Sequence, residues 1–196
     1  ITAQVAIALA RRFRCRIELV GRSPLPSAAE DPALAAAADA PALRRILAQR
    51  GDGREPMSPA AIEAMCARIL AGREIRATLA AIEAAGAAVV YHAVDVRGDD
   101  FAAVIDGIYR RHGRLDGVIH GAGVLEDKLI RHKTAESFAR VFSTKLAGAA
   151  TLVDRLREDV GFVVFFSSVA GAFGNRGQVD YAAANEVISK LAIRLN

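Results

Sequence analysis

Tryptophan is absent from this 196-residue chain, and cysteine and methionine occur only twice each. Cys15 and Cys66 are too few and too far apart for a disulfide-stapled scaffold or a Cys-based metal site, so no metal is expected. Their expected role is that of small buried or half-buried residues in a reducing cytosol, which makes a cytoplasmic location the expectation. No apolar run is long enough to span a bilayer, and no secretory signal pattern is present, so no membrane partner is expected. Clusters of Lys/Arg interleaved with aromatics are missing, which argues against nucleic acid as a partner. The chain does have a modest excess of base, 26 Lys+Arg against 22 Asp+Glu, for a net charge of +4. Most of it is arginine spread over helical surfaces. Its default reading is a set of solvated faces, and its second reading is an attraction for anionic ligands and partners.

The length suits one domain with a full core. Apolar spacing predicts helices over residues 2–13, 101–112, 135–158 and from 179 onward. Strands are predicted over 16–20, 88–91, 116–119 and 162–166. Strand and helix alternate with short turns, which predicts an α/β fold with a doubly wound, Rossmann-like parallel sheet. Residues 24–72 break that rhythm and read as a helical and loop insertion. They open rich in Ala, Pro and Asp, contain Gly51-Asp52-Gly53, and hold helical patterns over Ala42 to Arg50 and Pro59 to Ala71. Ser58-Pro59 supplies an N-cap serine with proline at the first helical position. Packing of this insertion on the sheet edge or a neighbouring domain competes with partial disorder as its fate. Ile1 to Ala10 reads as a helix already under way, and residue 196 falls within or just after the last helix, so residues 1–196 are expected to be one domain fragment of a larger polypeptide.

The densest chemical signal lies between Ser167 and Asn185. Gly161 to Phe166 reads as a buried parallel strand, which places Ser168 at a strand's carboxyl end, where open α/β sheets bind ligands. Tyr181 follows thirteen residues later and Asn185 four after that, on one face of an Ala-rich helix. Gly171, Gly174 and Gly177 mark a loop between them. A hydroxyl and a phenol converging on one crevice suit polarisation and protonation of a carbonyl oxygen. Ser167 is the rival serine. Alternation along the strand end points it the other way, so its role is read as structural.

This arrangement resembles the ketoreductase domains of modular polyketide and fatty acid synthases, a branch of the short-chain dehydrogenases/reductases. The segment Val118-Ile119-His120-Gly121-Ala122-Gly123-Val124-Leu125 is similar to the family's His-Ala-Ala-Gly-Val segment. Lys145-Leu146-Ala147-Gly148 is similar to its lysine-bearing helix, Asp95-Val96 to its adenine-contacting turn, and Gly21-Arg22-Ser23 to its NADPH 2′-phosphate turn. Free-standing members usually carry Tyr-x-x-x-Lys. Here Asn185 stands at that position and the lysine is Lys145, the exchange seen in synthase-embedded members. Glu126-Asp127-Lys128-Leu129-Ile130, Phe173 to Gln178 and the long insertion are similar to the ketoreductases of bacterial polyunsaturated fatty acid synthases. In the family a first strand and Gly-rich loop precede the helix that opens this chain, and the resemblance implies that both lie upstream of Ile1.

The resemblance implies NADPH as cofactor, bound by Arg22, Ser23, Asp95, Val96, His120, Gly121, Ala122 and Gly123. His120 itself reads as a packed or hydrogen-bonded residue rather than a catalyst. Tyr181 is the implied proton donor, Lys145 lowers its pKa, Ser168 holds the ketone oxygen, and Asn185 keeps the lysine or a water relay in register. The substrate implied is a β-ketoacyl thioester on the phosphopantetheine arm of an acyl carrier protein, with other synthase domains as partners in the same polypeptide. Leu125-Glu126-Asp127 is close to the Leu-Asp-Asp signature of ketoreductases giving D-configured products, with glutamate in the middle. Phe173 stands eight residues before Tyr181, where the opposite class carries tryptophan; both features lean towards the D product. Two other readings stay open: a free-standing reductase of a small or CoA-bound ketone, and a non-catalytic structural domain. The joint presence of Ser168, Tyr181, Lys145 and Asn185 argues against the latter.

Overall fold

The computed structural model describes residues 1–25, 29–50 and 57–195, so Gly51-Asp52-Gly53 lies outside the described residues. The chain falls into two compact units, Ala3–Ala93 and Val94–Asn196; Ile1 groups with the first and Thr2 with the second.

The first unit begins with helix α1 (Thr2–Phe13), whose apolar stripe Ala6, Ile7 and Ala10 is buried. Strand β1 (Ile17–Gly21) follows, then helices α2 (Pro32–Ala35), α3 (Ala40–Gln49) and α4 (Pro59–Ala84), and strand β2 (Val89–Ala93). β1 and β2 pair in parallel, with Leu19 opposite Tyr91 and Val20 opposite His92. The core joins α1 to the end of α4 through Ile7, Ala10, Ile82 and Ala87, with Ile17, Leu19 and Val89 packed against it.

The insertion has its own apolar centre of Ala37, Leu43, Leu47 and Cys66. Its helices start on side-chain caps: Asp31 accepts from Ala33 N–H, Asp39 from Ala42 N–H and Ser58 from Ala61 N–H. The Arg73 guanidinium closes it, donating to Glu30 at 2.7 Å and to the Leu34 and Ala37 carbonyls at 2.6 and 2.8 Å. α4 runs straight through Gly72 to Ala84, well past the expected end at Ala71. One interior glycine costs only about 1 kcal/mol, too little to stop a helix packed on both flanks. Cys66 is buried, but Cys15 is exposed, against the expectation that both are buried or half-buried. It lies in the turn after Arg14, which ends α1 in the left-handed region at φ 49°.

The second unit runs through α5 (Asp100–His112), β3 (Gly117–His120), a single 3₁₀ turn (Ile130–His132), α6 (Ala135–Arg155), β4 (Phe162–Phe165), α7 (Val169–Phe173) and α8 (Val179–Arg194). β3 and β4 pair in parallel, His120 opposite Phe165, with α6 as their crossover. Among the described residues each unit thus holds one parallel pair of strands. Residues 169–173, expected in a glycine-marked loop, form the short helix α7 instead. Ser168 caps it, and Gly171 is where α7 meets α8: a Cβ there would stand 2.9 Å from Glu186 N and 3.0 Å from Asn185 C. No helix among the described residues is long and apolar enough to cross a membrane.

Ile82 is fully buried where α4 meets α1. Ile82→Ala should destabilise the protein by about 2–5 kcal/mol through lost burial and a residual cavity. Urea unfolding measures this; an unchanged midpoint would show that the α1–α4 contact is not part of the cooperative core.

Candidate active site

Lys145, Ser168, Tyr181 and Asn185 all lie in the second unit, on α6, just after β4 and in the first half of α8. Lys145 is 4% exposed on the inner face of α6. Its Nζ donates to the Phe166 carbonyl at 2.6 Å, just beyond β4. Burial pulls its pKa below the ordinary lysine value. Its carbonyl accepts a hydrogen bond from His120 Nε2 at 2.9 Å. His120 is buried at the end of β3, edge-on to Phe165, and burial above all lowers its pKa, so a neutral imidazole donates that bond. The side chain expected in the cofactor segment therefore faces the interior and fixes α6 to β3. The fit is close: a Cβ at Gly148 would stand 2.9 Å from the His120 ring and 3.0 Å from Val96.

Ser168 has extended backbone, and its Oγ accepts from Ala170 N–H at 3.2 Å. The hydroxyl proton is not used in that bond, so it can be donated to another oxygen. Ser167 turns to α8, where its Oγ donates to the Asn185 carbonyl at 3.1 Å and meets Ser189 Oγ at 2.9 Å. Tyr181 is half-buried, and its hydroxyl has no hydrogen-bond partner among the described residues. Asn185 is fully buried, and its Nδ2 donates to the Tyr181 carbonyl at 2.7 Å. Of the two roles expected of it, holding Lys145 or a water relay, no hydrogen bond to Lys145 is made; its Oδ1 has no partner among the described residues.

The loop after β3 is tied down more firmly than its sequence suggests. Glu126 accepts from Arg140 Nε and Nη2, both at 2.8 Å, and from Ser137 Oγ at 2.8 Å. These bonds, Arg140's first, hold its carboxyl down to about 2. Asp127 accepts from Gln178 Nε2 at 2.9 Å, and Lys128 N–H donates to the Gly177 carbonyl at 2.9 Å. Lys133, which no sequence motif singles out, forms a 2.7 Å ion pair with Asp180. Nothing in sequence separates Asp180 from any first-turn acidic residue favoured by the helix dipole. Leu125 and Phe173 are 61% and 88% exposed.

The residues expected to hold a cofactor divide between the units. In the first, Arg22 is exposed at the end of β1, and the Ser23 carbonyl accepts from Tyr91 Oη at 2.6 Å. In the second, Asp95 is engaged with Arg97, whose Nη2 donates to it at 2.7 Å. Gly121, Ala122 and Gly123 follow β3 outside any regular element. A Cβ at Gly123 would stand 3.7 Å from Lys145 Cε, so the bare glycine lies directly beside that side chain. No group of His, Cys, Asp and Glu among the described residues could hold a metal ion.

The family model for the KR domain matches residues 1–195, which takes in both units. One subunit of the polyunsaturated fatty acid synthase of Thraustochytrium sp. is 37% identical over 188 residues, covering 91% of this chain and 7% of that protein. Polyketide synthase PksN of Bacillus subtilis is 36% identical over 102 residues, 51% of this chain and 2% of that protein. The chain thus spans a small part of the curated relatives it matches. An N-terminal ketoreductase from the macrolactin assembly line superposes with a TM-score of 0.66 at 28% identity, covering 93% of this chain and 29% of that one. A short-chain dehydrogenase from Mycobacterium paratuberculosis bound to NAD gives a TM-score of 0.68 at 20% identity, over 98% of this chain and 60% of that one, a likeness of fold alone. The fold is the Rossmann-like α/β arrangement expected.

Glu126 is ionised far below the ordinary glutamate range, so its bonds stabilise the folded state fully above the unfolded value of about 4.3. That contribution is lost as pH falls from there through about 2. Glu126→Gln should lower the urea midpoint at neutral pH, and the gap to the parent should close as the medium is acidified across that window. A gap independent of pH would mean that the Glu126–Arg140 contact adds no net stability.

Proposed function

This chain belongs to the ketoreductase (KR) domain family, and on that footing we propose that it is an NADPH-dependent β-ketoacyl reductase working within a multidomain synthase. Its substrate is a β-ketoacyl thioester on the phosphopantetheine arm of an acyl carrier protein, and its product is the β-hydroxyacyl thioester. Both units act as one ketoreductase domain, with residues 24–72 inserted in it.

The observation that carries the reading is Lys145. It is a buried ammonium held on a backbone carbonyl, with no carboxylate partner among the described residues. An ammonium buried without an anion costs stability, and its uncompensated potential can instead stabilise a nearby anion. In this reading the anion is the Tyr181 phenolate. A tyrosine of ordinary pKa, about 10, is a poor acid at neutral pH, and a neighbouring cation brings it into range. Ser168 donates its free hydroxyl proton in a hydrogen bond to the ketone oxygen, sharing the negative charge that grows there. Tyr181 then gives its proton to that oxygen, and Lys145 holds the phenolate left behind. Bound NADPH supplies the hydride for the carbonyl carbon. The buried, unpartnered Asn185 Oδ1 suits a water relay that reprotonates the site.

Tyr181→Phe removes the proton donor and should lower kcat about 10²–10⁴-fold, with cofactor affinity nearly unchanged. Near-normal turnover of an acyl-thioester substrate by that variant, assayed in the native polypeptide, would overturn the assignment.

Arg22 is exposed at the carboxyl end of β1, and a guanidinium there can grip a phosphate dianion through two parallel bonds. One charge-assisted bond is worth about 1.5–3 kcal/mol, so Arg22→Ala should raise the KM for NADPH by about tenfold or more. Activity with NADH should hardly change. Equal weakening of both cofactors would show that Arg22 packs the loop instead of reading the 2′-phosphate.

A further inference from the structure

We propose that Lys133 and Asp180 are positioning residues: their buried ion pair sets Tyr181 in register with the substrate-facing loop after β3. This rests on the reading of Tyr181 as the proton donor. Lys133 Nζ stands 2.7 Å from Asp180 Oδ2, with the two side chains only 4% and 2% exposed. The other carboxylate oxygen, Asp180 Oδ1, accepts from Tyr181 N–H at 2.9 Å. The same ammonium also donates to the Glu126 carbonyl. One cation therefore holds, at once, the backbone of Glu126 and the carboxylate that grips the amide of Tyr181.

A helix-dipole role does not account for this pair. An acidic residue in the first turn of α8 serves the dipole equally well when exposed. A buried ion pair is commonly no more stabilising than apolar residues of the same volume, so what it adds is a fixed geometry. That geometry matters here because the first turn of α8 has no side-chain cap from Gln178 to define it. Two further bonds run in parallel, Gln178 Nε2 to Asp127 and Lys128 N–H to the Gly177 carbonyl, each 2.9 Å. Both are exposed or backbone contacts, free to exchange with water. Of these links, the ion pair is the one that water does not reach. Without it, the phenol and the loop can shift relative to each other, and a proton donor displaced by about 1 Å loses on the order of 10²-fold in rate.

The test is Lys133→Met with Asp180→Asn, which removes both charges while keeping side-chain volume and an acceptor for Tyr181 N–H. In the native polypeptide its kcat should fall about 10- to 100-fold. Cofactor affinity should stay within about twofold, and the product hydroxyl should lose stereochemical purity. A folded double variant with parental kcat and a single product configuration overturns the inference. Tyr181→Phe, assayed beside it, separates the two ideas. If Tyr181→Phe is inactive while the double variant is normal, only the positioning role fails. If Tyr181→Phe is itself normal, the reading of Tyr181 fails and takes this inference with it. Should the double variant not fold, Asp180→Asn alone carries the test. Asparagine puts an amide NH₂ in place of one of the two carboxylate oxygens, so it cannot accept from Lys133 and Tyr181 at the two positions they now use; the same fall in kcat supports the proposal and parental kcat overturns it.

Discussion

The second unit is organised around a positive charge placed where water cannot solvate it. Lys145 is bound at both ends: its ammonium to the Phe166 carbonyl beyond β4, and its own carbonyl to His120 at the end of β3. One residue of α6 therefore fixes the helix against the exits of both strands. Burial first, and the nearby ammonium with it, push the His120 pKa down and favour the neutral imidazole as the donor of the second bond. Ser168 sits two residues past the carbonyl that anchors Lys145, so the position of the serine follows from the same contact. Moving Lys145 would move the strand exits and the serine together.

Two buried lysines in the same unit show how burial sorts charges. Lys133 is neutralised by Asp180, and its other bond goes to a backbone carbonyl. Its field is largely cancelled at short range, which leaves geometry as its contribution. Lys145 has only a carbonyl dipole against it, and burial lowers its pKa. No carboxylate among the described residues cancels its field. The paired lysine stiffens, and the unpaired one can do electrostatic work.

The sequence displayed what repeats or alternates. Strand–helix alternation located the four described strands and helices α1, α5, α6 and α8 to within a few residues, because apolar periodicity is a property of single elements. It also separated Ser167 from Ser168, since neighbours at a strand end face opposite ways. What it hid depends on contacts across the fold. The helix α7 was masked by glycine, whose place at 171 answers the close approach of α8 rather than a turn. α4 ran on through Gly72 because packing outweighed one unfavourable propensity. Lys133, Asp180 and the bond from Tyr91 to Ser23 left no periodic trace, since each joins residues tens of positions apart. Asn185 was expected to hold the lysine or a water relay, but its donor went to the Tyr181 carbonyl one turn back in its own helix.

The same distinction bears on the segment Leu125-Glu126-Asp127. The Glu126 carboxylate is committed to Arg140 and Ser137 on α6, and Asp127 to Gln178 in the loop before α8. Both Glu126 oxygens are engaged, whereas Asp127 is exposed and uses Oδ2 alone. Any influence of Glu126 on how a substrate is presented runs through the position of the loop it holds. A glutamate reaches α6 with one methylene more than an aspartate, so the middle residue of this segment fixes how far the loop stands from that helix. Leu125 and Phe173, both apolar, are largely exposed. Orientation in such a site is a matter of spacing between two loops, and the residues that set the spacing need never meet the molecule they orient.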